Sequence, residues 1–177
     1  PLQAGDWDIT PRVSLAEIYS DNVDLEPNNE QQSFITEVSP GISVRGGGRR
    51  FEANVDYLME TFFSSADSFS PNTNHRLFAS STSELSKNLL FFDADAQAGQ
   101  AIIDGSGTLS RDNYSGNRNR SDFVNYSLSP YVTPHFGAYA DVVFRFVYKV
   151  ELYSKDVGSE SSTHEVYASL SSGRNFS

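Results

Sequence analysis

Strict alternation of apolar and polar residues is the dominant pattern in this chain. From Trp7 the odd positions run Trp7, Ile9, Pro11, Val13 and Leu15, while the even positions run Asp6, Asp8, Thr10, Arg12 and Ser14. Successive side chains of an extended strand leave opposite faces, so such a segment reads as a strand with one apolar and one polar side. The pattern recurs along the chain and predicts eight strands, near residues 6–19, 33–45, 50–63, 75–86, 89–103, 122–134, 138–153 and 164–173. The seventh is the clearest: Val142, Phe144, Phe146, Tyr148, Val150 and Leu152 alternate with Asp141, Arg145, Lys149 and Glu151.

The connections alternate in length. Short turns are expected at Gly46-Gly47-Gly48, at Ser86-Lys87-Asn88 and at Pro134-His135-Phe136-Gly137, and long polar loops over 20–33, 64–74, 104–121 and 154–163. Turns at one end and loops at the other are the asymmetry of outer-membrane barrels. Aromatic residues near the strand ends suggest two interfacial girdles: Trp7 and Tyr19, Phe51 and Phe63, Phe92, and Tyr139 with Tyr153. The expected fold is therefore all-β, an antiparallel up-and-down transmembrane β-barrel in one domain spanning residues 1–177. The eight strands are expected to be part of a larger barrel of about sixteen, and the alternatives are a complete eight-stranded barrel and a soluble β-sandwich, which also alternates along its strands.

Composition narrows the function. Thirteen Phe, nine Tyr and one Trp sit in a chain of low mean hydropathy, −0.42, too aromatic for a disordered segment. No run approaches the roughly 18 apolar residues of a membrane helix. A net charge of −10 argues against nucleic acid as a partner. The absence of cysteine removes disulfides, thiolate metal sites and a thiol nucleophile. The opening Pro1-Leu2-Gln3-Ala4-Gly5 reads as a processed start with a signal peptide already removed.

Several segments together resemble a known family. Trp7-Asp8-Ile9-Thr10-Pro11, Glu17-Ile18-Tyr19-Ser20-Asp21-Asn22-Val23 and Phe34-Ile35-Thr36-Glu37-Val38-Ser39-Pro40-Gly41-Ile42-Ser43-Val44 are similar to the PEP-CTERM system-associated outer-membrane barrel proteins. Residues Gly116-Asn117-Arg118-Asn119-Arg120-Ser121-Asp122, followed by Tyr126-Ser127-Leu128-Ser129-Pro130-Tyr131, look like a second instance of the same loop-into-strand pattern. The resemblance implies a Gram-negative outer membrane, a link to exopolysaccharide and exosortase systems, and a larger barrel of which this chain is the N-terminal half. The implied partners are outer-membrane lipid and a polysaccharide or its export machinery.

Candidate chemistry is sparse. His75, His135 and His164 fall in or beside different connections, and only His164, near Ser161 and Ser162, suggests a nucleophilic pair. Asp93 and Asp95 share a strand face, as acid–base carboxylates or as wall charge. Asp21-Asn22-Val23-Asp24-Leu25-Glu26 offers oxygen ligands for calcium without the spacing of an EF-hand. No catalytic, cofactor or metal site is expected from these patterns, and the protein is read as a non-enzyme.

The polar faces carry the functional expectation. Asp8, Arg12, Glu37, Glu52, Asp56, Glu60, Glu84, Asp93, Asp95, Asp141, Arg145, Lys149 and Glu151 are expected to line an aqueous interior, in which acids outnumber bases. Such a wall favours cations or neutral polar solutes over anions. The expected role is passage or assembly of extracellular polysaccharide, or passage of small polar solutes. The alternative is a non-transporting structural or adhesion barrel whose long loops bind something outside.

Overall fold

A computed structural model describes residues 6–23, 30–65, 72–102, 120–137, 139–154 and 160–172. These form one antiparallel up-and-down sheet: β1 (Asp6–Ser20), β2 (Ser33–Gly47), β3 (Phe51–Ser64), β4 (Asn72–Ser86), β5 (Leu90–Ile102), β6 (Arg120–Val132), β7 (His135–Phe136), β8 (Ala140–Tyr153) and β9 (Ser161–Ser172). The eight long strands lie within three residues of the ranges the alternation gives, and the two-residue β7 is an addition inside an expected turn. Each long strand pairs with its sequence neighbour, except that β6 and β9 pair with β8 on either side of it. The outer edges of β1 and β9 are not paired with each other, so the sheet is open.

Register decides whether the eight apolar faces fall on one side. Residues directly opposite across a ladder share a face. Ile9 pairs with Val44, which pairs with Val55, which pairs with Ala79 and then Ala96. The line continues through Tyr126 and Val150. The apolar positions of every long strand thus meet on one surface, and the polar positions meet on the other. The soluble-sandwich alternative needs a second sheet over the apolar surface, whereas all strands among the described residues belong to one sheet. That surface is correspondingly open: Val13, Leu15, Val166 and Leu170 are all more than 70% exposed.

The sheet is also sheared. One cross-strand row starts at Trp7 and runs through Gly46, Ala53, Ser81, Ala94, Leu128 and Tyr148 to His164. Trp7 lies one residue from the short-turn end of β1, and His164 lies eight residues from that end of β9. The row therefore climbs seven residues in seven strand-to-strand steps. One residue of rise per strand spacing corresponds to strands inclined roughly 35° from the perpendicular to the line of turns.

Turns and prolines account for the local irregularities. The β2–β3 reversal uses residues 48–50, because Gly46 and Gly47 belong to β2, which corrects the expected Gly46-Gly47-Gly48 turn. Asn88, at φ 52°, supplies the left-handed residue of the β4–β5 turn, where the Leu89 amide donates to the Ser86 carbonyl at 3.1 Å. Pro40 and Pro130 sit in central strands, an unusual place for a residue with no N–H. Each is tolerated where the ladder has a gap: β2–β3 skips from Val38↔Thr61 to Gly41↔Leu58, and β6–β8 skips from Leu128↔Tyr148 to Tyr131↔Arg145.

Candidate functional site

The polar surface is the place where charged chemistry gathers. All thirteen expected wall residues lie on it: Asp8, Arg12, Glu37, Glu52, Asp56, Glu60, Glu84, Asp93, Asp95, Asp141, Arg145, Lys149 and Glu151. The bases among them are committed to neighbours. Arg12 of β1 forms a two-pronged pair with Asp56 of β3, at 2.9 and 2.8 Å, reaching across β2. It passes over Gly41, where a Cβ would stand 3.0 Å from Arg12 Nε and 2.8 Å from the Tyr57 carbonyl. Arg145 of β8 makes the equivalent span over β6, donating to Asp93 at 2.7 Å and to Ser129 at 2.8 Å with its guanidinium 3.9 Å above the Tyr131 ring.

The other cations bridge adjacent strands. Arg76 pairs with Glu60 at 3.2 Å, Lys149 with Glu165 at 2.9 Å, and Arg45 donates to Asn54 at 3.1 Å. At the short-turn end Arg50 approaches Glu84 at 3.7 Å, and His135 meets Asp141 at 2.7 Å. Glu37 accepts from the Ser39 hydroxyl, and Asp8 from the Thr10 hydroxyl at 3.2 Å. Glu52, Asp95 and Glu151 form no salt bridge among the described residues. The bases thus lace strands together, and the residual field of the surface is acidic.

The polar surface also carries apolar residues and relief. Between β3 and β8 it dips into a hollow of about 250 Å³ lined by Asn54, Phe78, Asp95, Gln97, Asn125 and Glu151, among others. At the long-loop end, Ile18, Ile35 and Phe62 occupy polar-side positions: Ile35 and Phe62 form with Val23 the buried apolar cluster of the described residues, and the partly buried Ile18 packs against it. Their parity in the sequence was the available signal, since each breaks the polar run of its strand.

The apolar surface ends at a common level. From the short-turn end up to nine residues along each long strand it carries no charged residue. Ten or eleven residues up, seven of the eight long strands carry a polar residue on this surface, Glu17, Thr36, Thr61, His75, Gln100, Asp122 and Ser162, and below that level the polar exceptions on β4 and β9 include the uncharged Ser81 and Ser83 and His164. Several of these bond to each other: Thr36 donates to Glu17 at 2.8 Å, Gln100 to Asp122 at 3.0 Å, and Thr61 lies 3.3 Å from Thr73. Eight intervals of strand at the inclination above make an apolar band about 22 Å tall.

The expected girdle residues divide. Trp7 reaches over Gly46 to Phe51, ring centroids 6.2 Å apart, and Tyr19 meets Phe34 at 5.2 Å. Phe63 and Phe92 share the apolar surface with them. Tyr153 does not: it pairs with Phe123 on the polar surface, because it is an odd residue of a strand whose even residues are apolar. Tyr139 stands in the turn before β8, its amide 3.2 Å from the Phe136 carbonyl. At the long-loop end the rings of Tyr19, Phe34 and Phe63 lie beyond the polar level, not at its apolar edge.

The histidines are also placed. His75 hydrogen-bonds Tyr57 at 2.8 Å on the apolar surface, and His164 lies against the rings of Tyr148 and Phe146, at 4.9 and 6.0 Å. Neither touches a serine hydroxyl among the described residues, so the suggested pairing of His164 with Ser161 or Ser162 is not formed. Asp24, Leu25 and Glu26 of the calcium candidate lie outside the described residues, as do Gly116, Asn117, Arg118 and Asn119. Among the described residues no three His or acidic side chains converge as a metal site.

The fold and surfaces define an open up-and-down antiparallel sheet with one apolar and one acidic polar side. No family model matches the chain, and neither a curated protein nor a solved structure shows significant similarity to it.

Proposed function

We propose that this chain is the wall of an outer-membrane β-barrel, its apolar surface against lipid and its polar surface facing an aqueous, acidic interior. The observation that carries this reading is the uncharged apolar band. Its upper limit falls at a common level on seven of the eight long strands, far apart in sequence, and its height of about 22 Å is close to the roughly 25 Å lipid-facing band of such barrels. Packing against a second protein layer gives no reason for a common level, whereas a planar bilayer imposes one. The inclination of roughly 35° supports the same reading, since strands of closed barrels tilt by about 35–45°.

The interior's residual negative charge supports passage of cations or neutral polar solutes, and the resemblance to PEP-CTERM system-associated barrels extends the proposal to passage or assembly of an extracellular polysaccharide. The test uses the full-length protein reconstituted in planar bilayers. Cation-selective conductance is expected, reduced by the combined substitutions Glu52→Gln, Asp95→Asn and Glu151→Gln, which remove carboxylates without breaking an ion pair. Anion selectivity would overturn the acidic-lumen reading. A folded, membrane-inserted protein with no conductance would favour the structural or adhesion barrel, in which Arg12–Asp56 and Arg145–Asp93 serve only to brace the interior.

A further inference from the structure

The hollow on the polar surface is built from two neighbouring cross-strand rows. One runs Asp56, Phe78, Gln97, Asn125, Glu151, and the other Asn54, Ser80, Asp95, Ser127, Lys149. Phe78 is unexpected here. It is an aromatic residue on the polar side, flanked in its row by Asp56 and Gln97, with 55% of its surface exposed. An exposed ring among carboxamides and carboxylates presents its negative face as a platform for a cation.

The polar groups around it set the charge of a ligand. Asp95 lies diagonally beside Phe78, between Ser80 and Ser127, two side chains too short to cover it. Its carboxylate forms no ion pair among the described residues, whereas Glu151 at the far end of the hollow lies in the field of Lys149 without a direct salt bridge. Lys149 lines the same hollow but directs its ammonium at Glu165, 2.9 Å away, so it does not neutralise Asp95. Asn125 lines the hollow beside Gln97 and Glu151, and its buried Oδ1 has no hydrogen-bond donor.

We infer that this hollow is a binding site for an organic ammonium compound, its charged head held by Asp95 and the face of Phe78, its body lying along the Gln97–Asn125 row toward Glu151. A carboxylate beside an aromatic face in a concave site is a recognition set for ammonium and leaves a neutral sugar with no use for the free charge of Asp95. The inference deepens the proposed acidic interior by naming a ligand class, yet it needs only a folded sheet, so a barrel that conducts nothing would still show it.

The test is titration of choline into the full-length protein folded in detergent micelles, followed calorimetrically, with cellobiose as the neutral probe. Choline is expected to bind and cellobiose not to. Asp95→Asn, close in shape and unable to hold the charge, is expected to weaken choline at least tenfold. Phe78→Ala should weaken it about threefold to thirtyfold, the range of a cation–π contact. Asp8→Asn, an acid on the same surface away from the hollow, should leave affinity unchanged, and far-UV circular dichroism checks that each variant folds. Choline affinity indifferent to Asp95→Asn, or no choline binding at all, would overturn the inference. Cellobiose binding that survives Asp95→Asn would overturn it in favour of a neutral saccharide site.

Discussion

Two glycines perform one task on opposite surfaces. Gly41 lets Arg12 cross β2 to Asp56 on the polar side, and Gly46 lets Trp7 cross β2 to Phe51 on the apolar side. A Cβ at Gly46 would stand 2.6 Å from two carbons of the indole. Gly46→Val is therefore expected to displace the ring and cost about 1–3 kcal/mol through overpacking. Trp7 is the single tryptophan, so the displacement should appear as a shift of its emission, and an unchanged spectrum would place the ring elsewhere. The Arg12–Asp56 pair should matter less. Both side chains are about 40% exposed, so solvent screens the pair and a double-mutant cycle is expected to show little coupling.

Within an element, neighbouring residues are assigned opposite surroundings. Phe144 lies four residues up β8 on the apolar side, well inside the uncharged band, and pairs with Val132 and Ala168. Val143, next to it, points to the polar side and pairs with Ser169. If lipid covers the apolar surface, Phe144→Arg should destabilise membrane folding by roughly 2–4 kcal/mol, as for arginine near the bilayer midplane. Val143→Arg should cost much less. Equal losses in a denaturant titration in lipid vesicles would mean that both sides of β8 see the same medium.

At the scale of the whole molecule, the open edges are the largest unused resource. β1 offers 15 residues and β9 offers 12, and because the strands alternate in direction these two edges run antiparallel to each other. Long unpaired edges are prone to aggregate unless something pairs with them. If the sheet closes into the proposed membrane barrel, the edge-facing amides of β1 and β9 in the full-length protein are expected to exchange hydrogen as slowly as those of β3 or β5, because a barrel has no free edge. Fast exchange confined to those two strands would show a sheet that stays open. Heat-modifiable migration in detergent should accompany closure, with a β-rich circular dichroism spectrum before heating.

The alternation by itself determined the number, the extent and the two-sidedness of the long strands, because a period of two is a property of each strand taken alone. Trp7 through Leu15 and Val142 through Leu152 show it without reference to any neighbour. The positions of the charged wall followed from the same parity, whereas the misassigned Tyr153 and the cluster of Ile18, Ile35 and Phe62 mark where chemistry and parity disagree. Only the tertiary structure decided which carboxylates are neutralised and which are free. Arg12 meets Asp56 forty-four residues away, and Arg145 meets Asp93 fifty-two residues away, through ladders whose register depends on every intervening turn. The common level of the apolar band and the hollow around Phe78 arise in the same way: each is a property of rows that cross the strands, and the chain is written along them.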